Sequence, residues 1–202
     1  MSPFIVRLLH NDATRWGGEK THLGSVEGCV ESNTEIRRVE DADADELSIL
    51  LNEIIARGGT TALEELMDPS TLASRMLTGP DVICCFVAVE RSSGKLLGFQ
   101  TLTKYAALPR DCGDIGTFAR VGLTQKGVGS ALFSVMRTEA RQKGLTAINA
   151  TIRADNRGGL AFYQRMGFVD HEIARAVPLK DGTPVDRISK RYRLDLDAAR
   201  IA

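Results

Sequence analysis

The order strand, glycine-broken turn, long amphipathic helix, strand between residues 114 and 152 constrains the fold of this chain most. The run from Asp114 to Val121 leads into Thr124-Gln125-Lys126-Gly127-Val128-Gly129-Ser130. From Gly127 to about Lys143, Ala131, Leu132, Val135, Met136 and Ala140 form one apolar helical stripe, closed by Gly144. Ala147 to Ile152 is a second strand. Such a unit demands a parallel, right-handed crossover between its strands. Upstream, the apolar runs Ile83–Val89 and Leu96–Leu102 flank the turn Ser92-Ser93-Gly94-Lys95 and read as an antiparallel hairpin. One sheet must accommodate both pairings. The expected class is therefore α/β (α+β), with a mixed, mostly antiparallel sheet of six to seven strands and helices on both faces.

The remaining elements follow from local signals. Glu35–Val39 alternates as a strand. Asp41 or Asp43 offers an N-cap to a helix whose apolar residues are Leu47, Leu50, Leu51, Ile54 and Ile55, ended by Gly58-Gly59. A shorter helix is expected from Ser70 to Leu77, with Ser70 as cap and Gly79-Pro80 as stop. Asn156 caps a helix running through Met166 to Gly167, and strands follow near 168–176 and 186–195. Residues 1–34 carry several glycines and no sustained period, so they read as an irregular extension, which holds the chain's one tryptophan, Trp16. Residues 35–202 form the domain.

Among 202 residues, 26 Lys and Arg balance 26 Asp and Glu, which argues against a nucleic-acid groove or an anionic membrane as main partner. No apolar run approaches the roughly 20 residues of a membrane helix. The first ten residues lack a basic region and a small-residue cleavage site, so a secretory signal is not expected. The adjacent Cys84 and Cys85 point to opposite faces of a strand, which disfavours a shared metal or disulfide. With Cys29 and Cys112 they read as reduced thiols of a cytoplasmic protein, and no metal is expected.

A glycine turn that opens a helix leaves several backbone N–H groups without partners and aimed at one spot. The helix dipole favours an anion there by roughly 0.3–1 kcal/mol, and phosphate is the usual guest. The alternative is that Gly127 and Gly129 merely allow close packing of helix on sheet, so the turn alone does not establish a phosphate site.

Three pieces in fixed order resemble the GCN5-related N-acetyltransferases (GNAT). The strand 114–121 running into Gly127-Val128-Gly129-Ser130 is similar to that family's Gln/Arg-x-x-Gly-x-Gly/Ala pyrophosphate loop. A strand ending in Ala154-Asp155-Asn156 is the second piece. Gly159-Leu160-Ala161-Phe162-Tyr163-Gln164-Arg165-Met166-Gly167-Phe168 is the third, and it matches the helix-to-strand signature. The resemblance spans roughly 35–195 and departs at Thr124, where the family carries Gln or Arg. It implies the GNAT fold with a splayed parallel strand pair, acetyl-CoA as cosubstrate, and acetyl transfer to a primary amine. Backbone groups of Phe118, Ala119, Arg120 and Val121 would meet the pantetheine. Gln125, Lys126, Gly127, Val128, Gly129 and Ser130 would hold the pyrophosphate, with Asn156 and Phe162 also on the cofactor. The alternative for Phe118 is a core ring in an unbroken ladder.

Tyr163 matches the family's usual acid. A phenol with pKa near about 10 stays protonated at neutral pH and can donate to a departing thiolate; the alternative is a core ring. The attacking amine must lose a proton, and Asp114, Glu64 and Glu65 are the candidate bases, each also readable as a surface carboxylate. Substrate choice in the family lies partly in the segment after the first helix, here Arg57 to Glu65, which puts Arg57, Thr61 and Glu64 near the acceptor. That segment resembles members acting on amino acids or amino-acid-like compounds, such as the phosphinothricin acetyltransferases. The expected function is N-acetylation of a small-molecule amine by direct attack. Acetylation of a protein N-terminus and a non-catalytic acetyl-CoA sensor are the alternatives. By analogy with the family, a homodimer is expected.

Overall fold

A computed structural model describes residues 33–122 and 127–194. Trp16, Cys29 and the extension through residue 32 lie outside the described residues, as do the loop positions Thr124, Gln125 and Lys126. Seven strands form one sheet in the order β1-β2-β3-β4-β5-β7-β6. They are β1 (Thr34–Arg38), β2 (Val82–Glu90), β3 (Leu96–Thr103), β4 (Cys112–Ala119), β5 (Ala147–Arg153), β6 (Val169–Pro178) and β7 (Pro184–Arg193). Every pairing is antiparallel except β4 with β5. The helix α3 (Val128–Gln142) supplies the crossover that a parallel pair requires.

Two cores lie on opposite faces of this sheet. On one, the α3 stripe of Val128, Leu132, Phe133, Met136 and Ala140 packs over Cys84, Phe86, Leu102, Ile115 and Ile148. On the other, Leu47, Leu50, Leu51, Ile54 and Ile55 of α1 (Ala44–Arg57) cover Cys85, Val87, Phe99 and Phe118. Each fully buried Leu contributes about 1.5–3 kcal/mol. The adjacent thiols Cys84 and Cys85 therefore fall into different cores, as strand alternation requires, and both are free.

Local chemistry departs from expectation at two caps. Asp43 sits before α1 but makes no side-chain cap bond to it. Its carboxylate instead takes a bidentate pair of 2.7 Å bonds from Arg37 and a third from the Glu40 N–H, closing a 3₁₀ turn over Asp41–Asp43. The charge-assisted fork outcompetes a lone cap bond. The cap of the short α2 (Pro69–Leu72) lies two residues earlier than expected: Asp68, not Ser70, accepts from the Thr71 N–H. It continues through Leu77 as a π-helical turn. The helix α4 (Arg157–Arg165) is capped by Asn156 as expected, its Oδ1 taking the Gly159 N–H at 2.8 Å. Among the described residues no helix is long and apolar enough to cross a membrane.

Candidate active site

Strands β4 and β5 pair only at Cys112–Ala147, Gly113–Ile148 and Asp114–Asn149. β4 continues to Ala119 and β5 to Arg153, so a gap opens beyond Asp114. On its other side β4 stays in register with β3 without a bulge. The Arg120 N–H bonds Leu97 O at 2.9 Å, and alternation then turns the backbone groups of Phe118, Gly116 and Asp114 toward β3. Those of Ile115, Thr117 and Ala119 face the gap. Of the strand residues expected to offer backbone groups there, Ala119 has the required orientation and Phe118 and Arg120 do not. Val121 lies past the strand end. The Phe118 ring stacks on Phe99 at 4.8 Å inside the core. The Arg120 side chain is held by Leu96 O and by Glu46 Oε1 at 2.6 Å.

At the far end of the gap Gly127 precedes α3 with φ of 93°, a left-handed conformation that suits glycine. The first intrahelical bond runs from Ala131 N to Gly127 O, leaving the N–H groups of Val128, Gly129 and Ser130 without intrahelical acceptors. A Cβ on Gly129 would stand 2.9 Å from the Phe162 ring. That glycine is thus also needed where α3 crosses α4.

Tyr163 lies on the α3 face of β4, buried among Phe162 and Phe168, with ring centroids 5.0 Å away in both cases. Its Oη is 2.9 Å from Thr117 Oγ1, which also receives a 2.9 Å bond from Gln100 Nε2. Burial pushes the phenol pKa far up, the Thr117 bond lowers it and the Asp114 charge raises it further. The hydroxyl remains protonated at any working pH. Asp114 lies on the opposite face of β4, where Asn149 Nδ2 donates to its Oδ1 at 2.8 Å. Burial raises the Asp114 pKa above the usual carboxylate value, while the Asn149 bond and the Arg191 charge pull it back. The two groups flank the mouth of the gap from opposite faces of the sheet.

The other expected residues divide. Both side-chain ends of Asn156 are engaged, Oδ1 in the cap and Nδ2 with Thr60 O at 2.6 Å. Glu64 accepts the Lys180 N–H in the turn between β6 and β7. Thr61 Oγ1 accepts from Leu63 N. Arg57 is exposed at the end of α1. The segment 57–65 is therefore tied at one point to the start of α4 and at another to the β6–β7 turn. A cavity of about 290 Å³ lies beside it, lined by Ala62, Leu63, Glu64, Met67, Arg75 and Lys180 among others. Sequence motifs missed Gln100, Thr117 and Asn149. The available signal was a polar residue inside an apolar strand run, since Gln100 and Asn149 are almost wholly buried.

The sequence matches the acetyltransferase (GNAT) family model over residues 51–168. Among solved structures, the phosphinothricin acetyltransferase from Sinorhizobium meliloti in complex with AcCoA aligns at 19% identity and TM-score 0.70, covering 80% of this chain and 88% of that one. The ribosomal-protein-alanine N-acetyltransferase from Brucella melitensis aligns at 20% identity and TM-score 0.68, covering 79% and 99%. A GCN5-related N-acetyltransferase from Kribbella flavida gives 23% and 0.68, covering 80% and 98%. No curated protein is significantly similar in sequence. The chain belongs to the GNAT acetyltransferase family. It is an acetyl-CoA-dependent N-acetyltransferase, an acyltransferase with the splayed mixed sheet of that fold.

Proposed function

We propose that the enzyme acetylates a small, amino-acid-like primary amine by direct attack, with Asp114 receiving the amine proton and Tyr163 supplying one to the leaving thiolate. The observation that carries this reading is the placement of the two groups on opposite faces of one gap. Acetyl-CoA, when bound, supplies the activated acyl thioester. The residues present suit it: the gap-facing backbone of Ile115, Thr117 and Ala119 offers an edge for the pantetheine amides. The free N–H groups of Val128, Gly129 and Ser130, opened by the left-handed Gly127, form an anion cradle.

An amine with pKa about 10.4 lies roughly 4 kcal/mol from its neutral form at physiological pH. The half-buried Asp114 is more basic than an exposed carboxylate and takes that proton on the acceptor side. The nitrogen bonds to the acyl carbon, the carbon–sulfur bond breaks and Tyr163 donates to the thiolate on the other side; the second proton that the nitrogen sheds on becoming an amide balances the one the phenol gives up and restores it. Such acid help is worth about 10²–10⁴-fold. Residues 35–202 carry this chemistry, with 1–34 as an extension.

The test is thiol release and product mass with a panel of amino acids, simple amines and peptides. Transfer to amino acids with wild-type protein, and turnover lowered about a hundredfold in Tyr163→Phe at unchanged acetyl-CoA affinity, is the expected result. Equal rates for the two proteins would remove Tyr163 from the acid role. Transfer to peptides alone would favour the N-terminal acetylation reading, which the likeness to the alanine N-acetyltransferase keeps in view.

A further inference from the structure

The sheet face that carries Asp114 and Asn149 continues onto β7, where two guanidinium groups stand without an ion pair to any described carboxylate. The register sets Asn149 opposite Arg191, Thr151 opposite Ser189, and Arg153 opposite Arg187. Residues directly opposite share a face, and Thr151 Oγ1 and Ser189 Oγ lie 3.3 Å apart on it. The intervening Ile148, Ala150 and Ile152 point into the α3 core. On the polar face α1 and the α2 turn pack against β2, β3 and β4.

Arg153 is satisfied by a bidentate pair with Asp155 at 2.9 and 2.6 Å. Arg187 and Arg191 are not. Arg187 Nη1 and Arg191 Nε are shielded from solvent and bond nothing. Neither makes an ion pair with a described carboxylate, although the charge of Arg191 reaches Asp114 and that of Arg187 reaches Asp155. On the same face Asn149 is 2% exposed, and its Oδ1 also lacks a donor. An orphaned buried polar atom costs about 1–3 kcal/mol, more when charged, and native proteins hold few of them. Here the orphans are complementary: an acceptor beside the reacting gap, and cationic forks one strand away.

We infer that Arg187 and Arg191 hold the carboxylate of the acceptor while Asn149 Oδ1 accepts from its amine, so the acceptor is an α-amino acid or a close carboxylate-bearing analogue. The scale fits. The amine nitrogen and carboxylate carbon of an α-amino acid are about 2.5 Å apart, and neighbouring strands about 4.8 Å. An acceptor with its amine over β5 at the gap sets its carboxylate toward β7 above Ser189, between the two arginines. The guanidinium fork matches a carboxylate in a way a lysine would not. This assignment rests on the acetylation of a small amine proposed above.

The experiment measures kcat and KM with the full chain for the twenty common L-amino acids and for matched amines lacking the carboxylate, such as L-leucine against 3-methylbutylamine. Arg187→Gln and Arg191→Gln should raise KM for the acids about ten- to a hundredfold. KM for the matched amines and the affinity for acetyl-CoA should not change, and Arg191→Lys should restore part of the loss. Equal KM for acid and amine in the wild type, or unaltered KM in both variants, overturns the inference. Weakened acetyl-CoA binding in the variants also overturns it, by assigning the arginines to cofactor phosphates. If no amine is acetylated, the proposed function fails, and calorimetric titration of the same amino acids into the CoA-saturated protein decides the inference alone. Binding weakened at least tenfold in the variants upholds it, and no carboxylate binding in the wild type overturns it.

Discussion

The Thr117 hydroxyl decides which way the Tyr163 proton points. Gln100 Nε2 can only donate, so Thr117 Oγ1 accepts that bond on a lone pair. If it also accepted from Tyr163, its own hydrogen would be left without a protein partner. With Gln100 donating to Thr117 and Thr117 donating in turn to Tyr163 Oη, the phenol hydrogen is left free for the gap. Aligned donors strengthen one another. Thr117→Val keeps the shape and removes the relay. We expect kcat to fall about tenfold or more with acetyl-CoA affinity unchanged, and Thr117→Ser to recover most of the loss. Steady-state kinetics with calorimetry would read this, and a pure KM effect would refute it. In the sequence, Tyr163 stood out because it lies in a motif. Thr117 did not, because its role depends on a hydroxyl 46 positions away along the chain.

At the scale of elements, α3 and α4 meet where Gly129 and Phe162 touch. From sequence the glycine loop reads as a phosphate cradle, with close packing of helix on sheet as the lesser alternative. The geometry supports a packing role outright, because a Cβ at 129 would meet the ring edge at 2.9 Å. Gly129→Ala should therefore destabilise the fold by about 1–3 kcal/mol through overpacking. The double variant Gly129→Ala with Phe162→Leu should recover part of that in thermal denaturation. Failure of the leucine to help would mean that the contact is not the source of the loss. Helix and strand positions were legible because their periodicity is local, as in the α1 and α3 stripes. Caps were less so: Asp43 was claimed by Arg37 across six residues, and nothing in the local pattern announces that competition. The orientation of Phe118 and Arg120 toward β3 likewise follows from pairing register, which hydrophobic runs do not fix to the residue.

For the whole molecule, the two cores make stability sensitive to alkali. Burial pushes the Cys84 thiol from 9.0 up to about 12, with Glu139 adding to the shift and Arg38 and Lys143 opposing it. A raised folded-state pKa contributes stability that is complete below the unfolded value and lost as pH climbs. The melting temperature should therefore decline between about pH 9 and 12, and Cys84→Ala should flatten that decline. An identical slope in the variant would place the effect elsewhere. The mixed sheet was legible in the sequence because hairpin and crossover units impose opposite pairing rules on one sheet. The β7 arginines were not, since nothing marks them until the register sets them opposite Asn149 and Arg153. That alternation along β5 carries an evolutionary consequence. Its even positions are committed to the α3 core, whereas 149, 151 and 153 face the acceptor side with 187, 189 and 191. A lineage can therefore exchange acceptors by drift at alternate residues of two strands and leave the acetyl-donor half inherited intact.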